Sequence, residues 1–492
     1  MVQGKGSVLQ RRRGGILLHL TSLPGAGESG SLGSEAFRFV EFLADCGLSV
    51  WQVLPIGPTH ADGSPYQCLS AHAGHPELID LRPLVECGWL AANAVDAGNT
   101  TTQGRANLLD RAYQAFRADK GDRLEEFAKF VQFHAYWLED YALFCVLRRC
   151  FDHRPWWEWP LKYRDRDADS LARIRARFEL EIDRVRFEQF LFFRQWQELQ
   201  RYAHRHGVLL FGDMPIFVAA DSADVWTRRQ YFRLDREGKP AVVTGVPPDD
   251  FSPTGQRWGN PYYDWEAMEK DGFAWWVERV HTQLELFDWI RIDHFRGFEA
   301  CWEIPAECET AEYGRWVDTP GEALLEAIQA RFGPLPLVAE NLGFITPQVE
   351  ALRKKFALPG MLILQFAFDG GGNNPYLPHN HTFDNVVYTG THDNDTTLGW
   401  FESLDVGRQT YVYEYLGRPH ESMPWALMRA AFASVAAVAI VPMQDVLGLG
   451  RGHRMNTPGT TAGNWRWRFC WEQLTPEHRE RMRRLAHLYG RA

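Results

Sequence analysis

The feature of this sequence that most restricts its fold is a series of eight short apolar segments, each followed by polar, Gly or Pro residues. Each segment is rich in Val, Ile and Leu, as expected for parallel strands that are buried on both faces. Helical patterns lie between most of them, for example at 273–287 and 321–332. The eight predicted strands are 15–20, 50–54, 208–211, 289–292, 337–339, 361–368, 386–388 and 436–441.

This alternation of strands and helices predicts an α/β fold built from βαβ units. Eight such strands predict a closed (β/α)₈ barrel, or TIM barrel, whose functional site lies at the carboxyl ends of the strands. Asp293, Glu340 and Asp393 come at or soon after the ends of three predicted strands. Burial of a strand gives no reason for a carboxylate there, so these three positions indicate chemistry.

Two long segments interrupt the barrel pattern. The second and third predicted strands are separated by 58–206, where 124–149 and 171–206 show apolar residues at a spacing of about 3.6. We therefore expect a mainly helical insertion at 58–206, within a barrel formed by 1–57 and 207–492. The other segment, 244–264, holds four Pro and three Gly, and it is predicted to be a long structureless loop with a function.

Composition excludes several classes of partner. The chain of 492 residues has 53 Lys and Arg against 63 Asp and Glu, and its one basic run, 11–13, is too short for a nucleic-acid patch. The eight Cys form no Cys-x-x-Cys pattern, and neither a signal peptide nor a membrane-spanning run is visible. We expect a cytoplasmic protein with reduced cysteines that binds neither nucleic acid nor membrane.

The carboxylate motifs each have a catalytic and a structural interpretation. Arg291 and Asp293 are two residues apart, so both point to one face of a strand; the guanidinium is expected to hold the pKa of Asp293 low, as a nucleophile needs. The alternative is a structural ion pair. Glu340 is a candidate general acid if its surroundings raise its pKa, or else a loop cap. His392 before Asp393 suggests a metal site, but the spacing matches no metal motif, so we expect no metal.

Taken together, a nucleophile, an acid/base and a third Asp from three strand ends predict a retaining glycosidase site. The order of these motifs resembles that of the alpha-amylase clan. It resembles most closely the 4-alpha-glucanotransferases, also called amylomaltases or disproportionating enzymes, of glycoside hydrolase family seventy-seven. The likeness covers nearly the whole chain and includes 19–25, 63–67, 212–218, 221–226 and 463–468.

The resemblance implies roles for individual residues. Asp293 would be the nucleophile, Glu340 the acid/base and Asp393, rather than Asp395, the stabiliser of the transition state. Tyr66 would stack on the reacting sugar, and Asp213 would support the site or serve structure alone. The other implied substrate-binding residues are Ser64, Arg291, His294, His392 and Asn464, with Phe251 and Trp258 on the acceptor side and Phe366 and Asp369 on the donor side.

The resemblance also implies the activity. Segments of α-1,4-glucan would pass from a donor maltodextrin to the 4-hydroxyl of glucose or another glucan, by a retaining double displacement without a cofactor. An α-1,4-glucan hydrolase, a catalytically silent carbohydrate-binding barrel and a membrane-anchored transport subunit are the alternatives, and both a monomer and a homodimer stay open. Too few residues follow the eighth strand for the C-terminal β-sandwich domain of amylases. His75 and Glu77 depart from the family pattern and predict an altered rim of the site.

Overall fold

The structure, a computed structural model, describes residues 8–25, 27–98, 101–119, 121–249 and 252–492. Its strands in chain order are β1 (Arg13–Leu17), β2 (Val50–Gln52), β3 (Leu209–Pro215), β4 (Val242–Val246), β5 (Gln256–Pro261), β6 (Trp289–Asp293), β7 (Ala300–Pro305), β8 (Arg315–Asp318), β9 (Leu337–Ala339), β10 (Gly360–Ile363), β11 (Asn385–Tyr388) and β12 (Val438–Pro442).

Helices connect most of these strands. The α-helices are Ser34–Asp45, Arg82–Glu86, Ala92–Gly98, Thr102–Arg117, Arg123–Phe133, Ala135–Cys150, Leu161–Arg164, Ala168–Arg177, Glu179–Arg205, Ala223–Thr227, Trp265–Lys270, Ala274–Leu286, Gly321–Phe332, Pro347–Lys355, Thr397–Ser403, Val406–Tyr415, Trp425–Ala433, Met443–Val446 and Pro476–Leu488. Short 3₁₀ helices are Leu20–Ser22, Pro76–Leu78, Trp156–Glu158, Arg229–Tyr231, Phe295–Phe298, Leu364–Phe366, Pro378–Asn380 and Trp471–Gln473.

Eight of the strands form one parallel sheet in the order β10-β11-β12-β1-β2-β3-β6-β9. The sheet closes between its two end strands, where the amide of Ala339, the last residue of β9, donates to the carbonyl of Pro359, just before β10, at 2.8 Å. All eight predicted strands are therefore confirmed as strands of a (β/α)₈ barrel. The predicted strand 361–368 is shorter than expected, because the chain turns into the 3₁₀ helix Leu364–Phe366 after β10.

The barrel strands bury both faces, which explains their continuous apolar composition. Ile16 and Trp51 belong to the large apolar cluster between strands and helices. Their neighbours Leu17 and Val50 belong to a second cluster, which fills the barrel. Strands β1 and β2 approach closely at Gly15, where a Cβ atom would lie 2.5 Å from the Val50 carbonyl oxygen.

The chain between β2 and β3 is largely helical. The predicted helical segment 124–149 is two helices, Arg123–Phe133 and Ala135–Cys150, and 171–206 is likewise Ala168–Arg177 and Glu179–Arg205. Their apolar side chains belong to the same cluster as the barrel helices, so one core serves both parts. Among the helices that the structure describes, none is long and apolar enough to cross a membrane.

The prediction of a structureless segment at 244–264 is wrong. Both ends of this segment form strands, since 244–246 belong to β4 and 256–261 are β5, and the two strands pair antiparallel within a four-stranded side sheet of order β5-β4-β7-β8. Pro247, Pro248 and Pro253 fall in the connection between the two strands, where no ladder N–H is needed. The high Pro content therefore marks the turn and not the whole segment.

The buried guanidinium of Arg491 offers a test of how the barrel is held at the amino ends of its strands. It donates to five backbone carbonyls, those of Arg13, Phe432, Ser434, Ala436 and Ala437, at 2.7–3.1 Å. We expect Arg491→Met to lower the free energy of unfolding by roughly 2–5 kcal/mol, because it removes a buried network of five hydrogen bonds from one cation.

Urea unfolding followed by circular dichroism measures this change. The exposed Arg451 supplies the control. An Arg491→Met variant as stable as Arg451→Met would contradict the interpretation.

Candidate active site

The predicted catalytic side chains come from the carboxyl ends of separate barrel strands. Asp213 lies in β3, Asp293 ends β6 and Glu340 directly follows β9. Asp393 lies in the segment after β11. The charges of Asp213, Glu340 and Asp393 all act on Asp293, so the fold brings the four carboxyls together.

Arg291 is the centre of the charged network. Its Nη1 donates to Asp213 Oδ2 at 2.6 Å, and its Nη2 forms an ion pair with Asp293 Oδ1 at 2.9 Å. The Tyr66 hydroxyl donates to the same Asp213 oxygen at 2.7 Å. Arg291 and Asp213 are buried, whereas Asp293 keeps 30% of its side chain exposed. As predicted, Arg291 and Asp293 point to one face, which is the inside of the barrel.

The expectation that Arg291 holds the pKa of Asp293 low is wrong. Burial raises the pKa of Asp293 to about 8; Arg291 lowers it, but Asp213, Glu340 and Asp393 raise it further. The physical reason is that one guanidinium is shared between two carboxylates, and the fully buried Asp213 has the shorter contact.

Glu340 is held by the backbone of its neighbours. Its Oε2 accepts the His294 amide at 2.7 Å, and its Oε1 accepts the Leu342 amide at 3.2 Å. Burial raises the pKa of Glu340, although Arg291 and the two amides oppose the change. A raised pKa is the property that Glu340 needs if it is to act as a general acid.

His294 reaches this position by adopting a left-handed backbone, with φ of 52°. Such a conformation is unfavourable for a residue with a Cβ atom, and it persists where surrounding structure enforces it. Burial lowers the pKa of His294 to about 3, so its ring is neutral. Within the described part of the chain, its buried Nε2 has no hydrogen-bond partner. The hydrogen-bonding capacity of that nitrogen is therefore not used by the described residues.

Asp393 is fixed by a segment that sequence reasoning missed. Asn456 Nδ2 donates to Asp393 Oδ1 at 2.7 Å, and Arg454 Nη2 donates to the Asp393 carbonyl at 2.7 Å. The Asn456 amide also donates to the carbonyl of His392 at 3.1 Å. Neither Asn456 nor Arg454 follows a strand directly or belongs to an acidic motif, so nothing local in the sequence marks them.

A group of rings lies beside Asp393. The Tyr66 ring stacks on His392 with centroids 5.2 Å apart, and Trp465 lies 5.9 Å from Tyr66 and 6.0 Å from His392. Asn464, the residue selected from this motif, instead bonds the 457–464 loop: its Oδ1 accepts the Thr457 amide. The ring of Trp465 is therefore the part of the motif that reaches the site.

The segment that carries Tyr66 is braced locally. Ser64 Oγ accepts the Tyr66 amide at 3.4 Å, so Ser64 supports the turn. His75 Nδ1 accepts the Glu77 amide at 3.2 Å, and its Nε2 lies 3.4 Å from the hydroxyl of Thr59 at the start of the same segment. His75, which departs from the family pattern, thus connects the Tyr66 segment to the 3₁₀ helix Pro76–Leu78.

The remaining predicted binding residues contact neighbours of the catalytic carboxylates. The Trp258 ring meets His294 edge-on at 4.8 Å. Phe366 contacts Tyr376 at 5.8 Å, and the charges of Glu340 and Asp369 add to burial in raising the pKa of Tyr376 to about 12. Phe251 lies outside the described residues.

The described residues contain no group of three or more His, Cys, Asp and Glu side chains arranged to hold a metal ion. The site consists of carboxylates, one buried guanidinium and aromatic rings at the carboxyl end of a (β/α)₈ barrel. This combination defines the class of barrel enzymes that act on glycosidic bonds through paired carboxylates.

Comparison with known proteins narrows this class. A family model described as 4-alpha-glucanotransferase matches residues 18–473. The chain therefore belongs to the 4-alpha-glucanotransferases of glycoside hydrolase family seventy-seven, enzymes that transfer segments of α-1,4-glucan.

Individual relatives are similar to this chain over nearly its whole length. The 4-alpha-glucanotransferase of Thermus thermophilus is 50% identical, over 96% of this chain and 97% of the relative. The 4-alpha-glucanotransferase of Synechocystis is 47% identical, over 98% of this chain and 99% of the relative. The amylomaltase of Streptococcus agalactiae, solved in complex with acarbose, has a TM-score of 0.95 and 36% identity, over 98% of this chain and all of that one.

The shared carboxyl cluster predicts how stability changes with pH. Because the pKa of Asp293 is raised above its ordinary value of 3.8, the folded state binds this proton more tightly than the unfolded state. The resulting stabilisation is complete below about pH 4 and is lost as pH rises through 8. Asp293→Asn has no carboxyl to ionise at this position and so does not suffer this loss. The melting temperature of the variant minus that of the native protein should therefore increase from pH 5 to pH 9.

Calorimetry at matched ionic strength measures that difference. Glu421→Gln is a control of opposite sign, because Arg429 lowers the pKa of Glu421 and the substitution removes stability that is present above the ordinary pKa. A difference for Asp293→Asn that stays constant or shrinks with pH would contradict the raised pKa.

Proposed function

We propose that Asp293 is the nucleophile, Glu340 the acid/base and Asp393 the stabiliser of the transition state in glucan transfer. The observation that carries the proposal is the unequal sharing of Arg291. The guanidinium contacts Asp293 at 2.9 Å, while Glu340 accepts the backbone amides of His294 and Leu342. Arg291 therefore favours negative charge on Asp293 more directly than on Glu340.

Burial raises the pKa of both Asp293 and Glu340, which favours retention of a proton by the pair. A retaining mechanism needs a single proton on the acid/base and none on the nucleophile. Because the two carboxyls titrate as a pair, the proton that the pair holds can lie on either of them, and the contact of Arg291 with Asp293 favours the form with Asp293 ionised and the proton on Glu340. The cluster as a whole, and not Asp293 alone, would then set the lower and upper pH limits of activity.

The proposed reaction has two displacements. Asp293 attacks the anomeric carbon, and the bond to the glycosidic oxygen breaks as Glu340 gives that oxygen its proton. The glucan segment is then an ester of Asp293. In the second step Glu340 takes the proton of the 4-hydroxyl of an incoming glucan, that oxygen attacks the anomeric carbon, and the ester bond to Asp293 breaks. Both carboxylates return to their starting states.

The surrounding residues would bind the sugars. Tyr66 and His392 present stacked rings beside Asp393, and the free Nε2 of His294 would meet a sugar hydroxyl. We add Trp465 to these residues because its ring contacts both Tyr66 and His392. The other proposed substrate-binding residues are Arg291, Asp213, Ser64, Asn464, Phe251 and Trp258 on the acceptor side, and Phe366 and Asp369 on the donor side.

Features outside the site complete the proposal. We infer that maltodextrins and related α-1,4-glucans are the substrates and that no cofactor takes part. The Cys side chains of the described residues are unpaired, which supports a reducing, cytoplasmic location. We also propose that 58–206 is an inserted unit within the barrel, since its helices follow β2 and precede β3.

Transfer is tested with maltotriose as the sole substrate. We expect glucose and a ladder of longer maltodextrins, with a nearly constant number of reducing ends. Asp293→Asn, Glu340→Gln and Asp393→Asn should each lower the rate by roughly a thousandfold or more, because each removes a group that acts in the transition state. Asp395→Asn is the matched control and should stay active.

Chromatography of the products and a reducing-end assay distinguish the outcomes. Rising reducing ends with only shorter products would identify a hydrolase. An inactive Asp395→Asn beside an active Asp393→Asn would show that the third carboxylate is assigned wrongly.

The contact of Asn456 with Asp393 gives a further expectation. Asn456→Ala should lower kcat roughly 10- to 100-fold with little change in KM, because a small displacement of a reacting or stabilising group is costly. Initial rates with maltotriose measure this split. The exposed Asn107→Ala is the control, and an equal loss in both variants would refute a specific role for Asn456.

A further inference from the structure

Two strongly exposed aromatic side chains lie near the loops that carry the proposed acid. Phe344 is 74% exposed and follows Glu340 by four residues. Tyr313 is 75% exposed and lies two residues before β8 of the side sheet. Single exposed apolar residues are ordinary on a protein surface. These two differ because a buried cation and two Trp side chains connect the segments that carry them.

The connection is made by Arg296. Its guanidinium carbon lies 3.7 Å from the centroid of Trp316 and 5.8 Å from that of Phe344, and its Nη1 donates to the Phe344 carbonyl at 3.0 Å. Arg296 is itself buried. It therefore holds Phe344 against the side sheet while the ring of Phe344 faces solvent.

Tyr313 is placed beside the same two Trp side chains by its neighbour Gly314. A Cβ atom on Gly314 would lie 2.3 Å from Trp302 Nε1, so the chain passes directly over Trp302. Trp302 meets Trp316 edge-on at 5.2 Å. We call Tyr313, Trp316 and Phe344 the aromatic rim.

The aromatic rim is continuous with the catalytic centre. Arg296 comes two residues after His294, whose amide bonds to Glu340 Oε2. The Phe295 amide donates to the Glu340 carbonyl at 3.1 Å, so the two loops are joined at the acid itself. Since Glu340 protonates the leaving group in the proposed reaction, the rim lies on the side from which that group departs.

We propose that the aromatic rim binds the outer part of a long α-1,4-glucan chain on the leaving-group side of the scissile bond. The proposal rests on the role of Glu340 proposed above. Glucose units present apolar C–H faces, which pack on exposed aromatic rings, and the rim offers two such rings held by a rigid network. A maltotriose spans only the subsites next to the reacting bond, so the rim would discriminate by chain length.

The test compares two substrates. Phe344→Ala and Tyr313→Ala are assayed with maltotriose and with a long linear maltodextrin as donor, with glucose as acceptor. We expect kcat/KM for the long donor to fall about 3- to 10-fold in each variant, the range typical of one aromatic contact. The rate with maltotriose should stay within about twofold of the native rate, since that substrate does not reach the rim.

Phe383→Ala is the matched control. Phe383 is 46% exposed, but it lies just before β11, at the opposite end of the barrel strands. Phe383→Ala should change neither the rate with maltotriose nor the rate with the long maltodextrin. Equal losses for both substrates in Phe344→Ala, or no loss for either, would overturn the proposal.

Calorimetric titration with the same long maltodextrin separates this proposal from the proposed catalytic roles. Binding needs no turnover, so weaker binding by Phe344→Ala would support the rim even if Glu340 proved not to be the acid. Unchanged binding would overturn the rim while leaving the catalytic roles intact. A change of sedimentation behaviour in Phe344→Ala with unchanged glucan binding would instead assign this surface to a second copy of the chain.

Discussion

The buried guanidinium of Arg291 is the interaction on which the rest of the site depends. It lies between Asp213 and Asp293, and Tyr66 bonds to the same oxygen of Asp213. One cation thus positions a carboxylate, a phenol and a second carboxylate. Burial and the nearby carboxylates raise the pKa of Asp293 and of Glu340, and the one guanidinium, which contacts Asp213 and Asp293, opposes this change without cancelling it.

Three separate parts of the fold complete the surroundings of this network. The barrel strands present the carboxylates, and the 454–465 segment holds Asp393 and supplies Trp465. The side sheet supplies Trp258 and, through Trp316, supports Arg296. Because each part is anchored in the apolar core or in another loop, the site gains precision from contacts made well away from the reacting atoms.

The barrel could be predicted from the sequence because its strands are buried on both faces. Such strands read as short apolar runs with abrupt ends, and that signal survives without any knowledge of pairing. The side sheet carried no such signal. Strand β8 is exposed or half-buried along its length, and the prolines between β4 and β5 led to the prediction of a loop where two strands lie. The helix breaks at His134 and Phe178 were missed because apolar periodicity continues across both.

The sequence by itself determined which chemical groups follow the barrel strands, and hence Asp293, Glu340 and Asp393 as candidates. Only the tertiary structure decided how protons and charges are distributed among them. The pKa of Asp293 depends on Asp213, which is 80 positions earlier, and the orientation of Asp393 depends on Asn456, which is 63 positions later. Electrostatic and hydrogen-bond partners act through space, so a local motif names a group without fixing its protonation or its orientation.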